Sequence, residues 1–142
     1  MKYEEYQRAI ECYNYRISQN RYCKDNRMNW YVGMLYTEIF NHEDTTVNNL
    51  DTNAIEKSIK YYYLALLYNI LDISYHNLDY TEDDEKKLIT AVLNNPETLV
   101  IEQEIKDDII NIRLPIIEKY MLEHTISDDS MELLEILRKI MD

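Results

Sequence analysis

Thr52–Leu78 reads TNAIEKSIKYYYLALLYNILDISYHNL. Ile55, Ile59, Tyr62, Leu66, Ile70 and Ile73 recur at steps of three and four, which places them on one face of a helix. Tyr63, Leu67 and Leu71 widen that face. Between Tyr61 and Leu71 the helix is apolar nearly all round, the pattern of a segment packed on several sides. Asp51 or Thr52 offers an oxygen to the first-turn amides and so marks the start. The reading is a long central helix over about 52–78. Its uncharged run ends at Asp72, well short of the roughly 20 residues a membrane span needs, so the helix is expected to be buried in protein.

Upstream, Tyr3, Tyr6, Ile10, Tyr13 and Ile17 form one stripe of a helix over about 2–19. A second helix over about 27–41 carries Trp30 and Met34 on one row and Tyr31, Leu35 and Ile39 on another. Gly33 lies inside it. A mid-helix glycine costs roughly 1 kcal/mol against alanine, so close packing of another helix, or a kink, is expected there. The polar stretch His42–Leu50 reads as a loop and as the best candidate for a mobile segment. Downstream, Thr81 caps a short fourth helix that ends at Asn94–Asn95, and Pro96 sits in the first turn of a fifth. Val100/Ile101, Ile105, Ile109, Ile112 and Ile116 form the fifth stripe. Pro115 is expected to kink or break it, because proline removes the bond to the carbonyl four residues back. Ser127 or Asp129 caps a sixth helix carrying Leu133, Leu134, Ile136, Leu137 and Ile140.

The chain has 142 residues with a single glycine and two prolines. Tight hairpins and phosphate-binding loops both need glycine where the backbone turns sharply or approaches a ligand. Sheet-rich folds and nucleotide folds of the Rossmann and P-loop types are therefore set aside. The expected class is all-α: one compact domain over 1–142, a bundle of about six helices.

Net charge is −12. Residues 1–40 carry six Lys/Arg against five Asp/Glu; residues 41–142 carry nine against 22. The acidity belongs to the last hundred residues, a surface that repels nucleic acid and anionic membranes and attracts basic proteins. Cys12 and Cys23 have no metal-ligand spacing and read as reduced thiols, hence an intracellular, cytoplasmic setting with no signal peptide. Abundant Asn, Tyr, Ile and Lys reflect AT-rich codons, as in some bacteria, phages and large DNA viruses.

Catalytic signals are sparse. His42, His76 and His124 form no i,i+4 pair and read as surface histidines. Glu82/Glu85 and Glu104/Asp107 each stand at i,i+3, and two such pairs on facing helices would suit magnesium. That arrangement loosely resembles the all-α nucleotide pyrophosphohydrolases, although their doubled glutamate is missing here. Glu82, Asp83, Asp84, Glu85, Glu102, Glu104, Asp107 and Asp108 otherwise read as an acidic, solvated face. Tyr15, Arg16, Arg21, Tyr22, Lys24 and Arg27 make a small aromatic and basic cluster. It is expected to meet the acidic remainder of the same chain or of a second copy rather than nucleic acid. Consecutive Tyr61, Tyr62 and Tyr63 cannot all face one core, because neighbours on a helix are about 100° apart.

Three readings follow. In the first, the chain is a non-enzymatic binding module, a viral or phage-type inhibitor or regulator without cofactor. Its acidic face docks on a basic protein partner, in the extreme as a nucleic-acid mimic. The second is the magnesium-dependent hydrolase. The third is a homodimer or other structural oligomer formed through exposed tyrosine rows.

Overall fold

The computed structural model describes residues 2–18, 26–70 and 103–141. All the regular structure among them is helical. The elements are α1 (Tyr3–Ser18), α2 (Asn26–Phe40), α3 (Thr45–Asn48), α4 (Ala54–Ile70), α5 (Gln103–Asp108), a π-helical turn (Ile109–Arg113), α6 (Leu114–Met121) and α7 (Asp128–Met141). The class is all-α, as the glycine shortage and the 3.6-residue periodicity require. The expected fourth helix, the start of the fifth, and residues 71–78 of the third lie outside the described residues.

Helices α2 and α4 form the central pair; α7 packs on α4, and α1 lies against α2 and α3. Among the described residues two buried clusters result. One joins Trp30 with Ile55, Ile59, Tyr62, Ile105, Ile109, Leu114, Ile117, Leu134 and Leu137. The other joins Tyr6, Tyr13, Val32, Tyr36, Ile39, Val47 and Ala54. Helices α2 and α4 contribute to both, which is why their apolar residues spread over more than one row. Tyr31 departs from its expected row: it is 54% exposed and stacks on Trp30 at 5.1 Å. The Tyr61–Tyr63 run resolves as geometry demands. Tyr62 and Tyr63 enter the core, whereas Tyr61 is half-buried between Tyr13 and Tyr36, at 5.2 and 5.8 Å.

Gly33 marks a close approach of α2 to α4. A Cβ added there would lie 2.6 Å from Cε1 of Tyr62 and 2.7 Å from Cδ1. The ring is fully buried and tethered. Thr37 donates its hydroxyl proton to the Gly33 carbonyl at 2.8 Å, so the Tyr62 hydroxyl is the donor in its 2.7 Å bond to Thr37 Oγ1. Gly33→Ala should therefore destabilise the fold by about 2 kcal/mol through overpacking, even though alanine is the better helix former by about 1 kcal/mol. Denaturant melts check this; a stabilised variant would show that the two helices separate easily.

The stretch expected to be a loose loop is held in place. Residues Thr45–Asn48 form a helical turn capped by Asp44, whose Oδ1 accepts from the Thr46 backbone at 2.9 Å and the Thr46 hydroxyl at 2.8 Å. The Thr46 bonds also hold the Asp44 carboxyl below its ordinary pKa. Val47 plugs the second cluster. The Asn48 amide donates to the carbonyls of Ile39 (2.7 Å) and His42 (3.0 Å), closing the end of α2. Polar residues read as mobility in the sequence are here capping groups. Asp51 behaves similarly: its Oδ1 accepts from the Asn53 backbone N–H at 2.9 Å, and α4 begins at Ala54.

Pro115 neither breaks nor merely kinks its helix. A π turn precedes it, in which the Leu114 N–H reaches the Ile109 carbonyl five residues back. The wider turn absorbs the ring that an ordinary α-helix would drive into the carbonyl of Asn111. The inserted residue turns the helix beyond it by about 100° relative to an uninterrupted α-helix, and the buried face changes with it. Ile105 and Ile109 are buried as expected, but Ile112 is 50% exposed, and Leu114 and Ile117 take the core positions instead of Ile112 and Ile116.

Candidate functional site

Helix α7 is amphipathic, and both of its faces are well defined. Ser130, Leu134 and Leu137 are buried, while Asp128, Asp129, Glu132 and Glu135 are exposed. Asp128, Glu132 and Glu135 stand at i, i+4 and i+7, hence on one stripe. The two acids of the first turn sit at the positive end of the helix dipole, and Arg138 and Lys139 at the negative end. Arg138 also pairs with Glu118 of α6 at 3.2 Å.

The start of α7 is fixed from two sides. Ser127 Oγ accepts from the Ser130 amide at 3.2 Å, the expected cap. The Ser127 amide itself donates to Glu56 Oε1 of α4 at 2.8 Å, and the Ser130 hydroxyl donates to the same oxygen at 3.3 Å. In a capping box the glutamate comes from the third helical position; here that position is Ser130, and a glutamate from another helix takes its place. The Ser127 bonds hold the Glu56 carboxyl below its ordinary value of 4.5. A lowered folded-state pKa adds stability above the unfolded value and loses it as pH falls through the folded one. Glu56→Ala should cost about 1 kcal/mol at neutral pH. Its deficit relative to the wild type should shrink once the pH drops below about 4.5. Thermal melts of both proteins across that range check it; a constant deficit would mean that the carboxylate charge contributes nothing.

Of the acidic face read from the sequence, Glu82, Asp83, Asp84, Glu85 and Glu102 lie outside the described residues. The other three do not behave alike. Glu104 is largely exposed and bonds Arg27 Nη2 at 3.2 Å. Asp107 is exposed and accepts from Gln103 at 2.6 Å. Asp108 leaves the exposed set, because its side chain is 13% exposed and turned into the fold. Its Oδ2 accepts the Trp30 indole N–H at 2.7 Å and Arg113 Nε at 3.2 Å. The π turn explains the second bond. Residues five apart lie about 140° apart around an α-helix, but a π turn brings them much closer to one bearing, as an α-helix does residues four apart.

Of the basic cluster, the side chains of Arg16, Arg21, Tyr22 and Lys24 lie outside the described residues. Tyr15 is 67% exposed on α1. Arg27 meets the acidic part of its own chain through Glu104, and its guanidinium lies 6.0 Å from the centre of the Trp30 ring. Between α1 and α2 runs an apolar groove of about 350 Å³, lined by Ala9, Cys12, Met28, Tyr31 and Leu35 among others.

Among the described residues no group of three or more His, Cys, Asp or Glu is placed to hold a metal ion. Glu104 and Asp107, half of the candidate magnesium set, are engaged by Arg27 and Gln103. Among the same residues no helix is long and apolar enough to cross a membrane. The α7 acids and the Trp30–Asp108–Arg113 cluster were not singled out in the sequence. For the first, the signal was the alternation of acids with Leu134 and Leu137; for the second, it was an acid and an arginine five residues apart just before a proline. No family model, no curated protein and no solved structure matches this chain.

Proposed function

We propose that this chain is a non-enzymatic binding module, a viral or phage-type inhibitor or regulator, that docks an acidic face on a basic, nucleic-acid-binding protein in the cytoplasm. One observation carries this reading. Helix α7 holds four exposed carboxylates, Asp128, Asp129, Glu132 and Glu135, over seven residues of rise, or about 10 Å of axis. That density approaches the one charge per about 3.4 Å along a DNA strand. The helix is anchored by its buried face and by Glu56, so the row is presented without first having to be ordered. The net charge of −12 opposes direct binding to nucleic acid and favours a basic protein surface.

The test is affinity capture from cell extract by the wild-type chain and by Glu132→Lys/Glu135→Lys, with circular dichroism confirming that both are folded. The proposal expects basic proteins held by the wild type and absent from the variant. They should be released by moderate salt and displaced by added duplex DNA. Identical capture by both chains, resistant to salt, would remove the acidic face from the function.

A further inference from the structure

Downstream of Ile109, the helix that runs from α5 through the π turn into α6 carries two apolar stripes. The folded chain uses Leu114 and Ile117, which are 7% and 0% exposed. An uninterrupted α-helix would instead bring Ile112 and Ile116 inward, continuing Ile105 and Ile109 at steps of three and four. A rotation of one residue would put Ile116 in the place of Ile117 and Ile112 in the place of Arg113, renewing the apolar stripe, while Arg113 would take the place of Leu114. Tyr120 already packs against the same cluster, and it also falls at the next step after Ile116. We infer that this helix is a two-register element: the π turn is the register selected in the native chain, and an α register rotated by one residue, about 100°, is its stored alternative.

Two features select the observed register. Pro115 has no N–H and crowds the carbonyl of Asn111 in an α-helix, so it disfavours the alternative. The Asp108–Arg113 pair exists only while residues five apart are aligned; in the α register Arg113 swings away by about 140° from Asp108. The Trp30–Asp108 bond lies before the turn and does not oppose the change. Rotation past residue 113 would turn Glu118, the partner of Arg138 on α7, onto a new bearing. The register thus bears on how α6 supports α7, but the inference stands whatever α7 binds.

The test reads side-chain accessibility directly. In a Cys12→Ser/Cys23→Ser background, Ile112→Cys and Ile117→Cys are each labelled with a maleimide. With the native proline and arginine, the cysteine at 112 should react at least tenfold faster than that at 117. With Pro115→Ala/Arg113→Gln added, the order should reverse. An unreversed order in a chain that keeps its helical circular dichroism overturns the inference. If that pair of changes unfolds the chain, Pro115→Ala alone is read in the same way: the ratio of the two rates must fall at least threefold, and an unchanged ratio overturns the inference.

Discussion

Ile117→Ala is expected to lower the stability of the fold by about 3–4 kcal/mol, and Ile112→Ala by less than about 1 kcal/mol. The two residues are of one type, five positions apart on one helix, so intrinsic helix propensity cancels from the comparison. What differs is burial. Ile117 is wholly enclosed in the cluster with Ile59, Leu134 and Leu137, whereas half of Ile112 is in water. Removing the Ile117 side chain deletes buried methyl groups and leaves a cavity whose walls come from α4, α6 and α7, three elements that cannot close together on the gap without losing other contacts. Removing that of Ile112 deletes surface that is already partly hydrated. Urea or thermal denaturation of the two variants measures the difference. Equal costs, or a larger cost at 112, would mean that the helix runs through Pro115 without a π turn.

That contrast also shows where sequence reasoning stops. Periodicity located α1, α2, α4 and α7 because each is a regular helix whose apolar rows obey one period. The scarcity of glycine added an independent constraint on class. Periodicity failed at Ile112 because the period itself changes there, and a proline is compatible with a break, a kink or a widened turn. What decides among them is the Asp108–Arg113 pair and the burial of Leu114 and Ile117, neither of which the period reports. The helical turn inside His42–Leu50 escapes the sequence pattern for a related reason. Asp, Asn and Thr are enriched both in loose loops and in the caps that hold short turns, and Val47 and Leu50, which pack on the second cluster, are too few to show as a pattern. Contacts that span the chain left no local trace at all. Glu56 caps a helix 71 residues away, and Trp30 bonds an acid 78 residues away. The acidic character of the candidate face was legible in the charge count; which acids remain at the surface was not, because Asp107 and Asp108 are adjacent and point to different environments.

Asp108→Ala is expected to cost about 3 kcal/mol, whereas Asp107→Ala, its neighbour, should stay within about 0.5 kcal/mol. The Asp108 carboxylate holds two donors at once: the indole N–H of Trp30 at 2.7 Å and the guanidinium of Arg113 at 3.2 Å. The Asp108 and Arg113 side chains are both 13% exposed, so water replaces the lost acceptor poorly. The cost is mostly that of a charge and an N–H left without their acceptor, not the net worth of the ion pair. It follows that Asp108→Asn, which keeps an acceptor for Trp30 but gives up the charge facing Arg113, should fall about midway. It also follows that Asp108→Leu/Arg113→Met should cost clearly less than the sum of the two single changes, because it removes the donor together with the acceptor. Trp30 is the only tryptophan in the chain, so its emission reports on this bond without interference. The spectrum should change in Asp108→Ala under conditions where the protein is still folded and remain as in the wild type in Asp107→Ala. If Asp108→Ala behaves like Asp107→Ala in both stability and emission, the carboxylate is a surface group, and the pairing that selects the π register is lost with it.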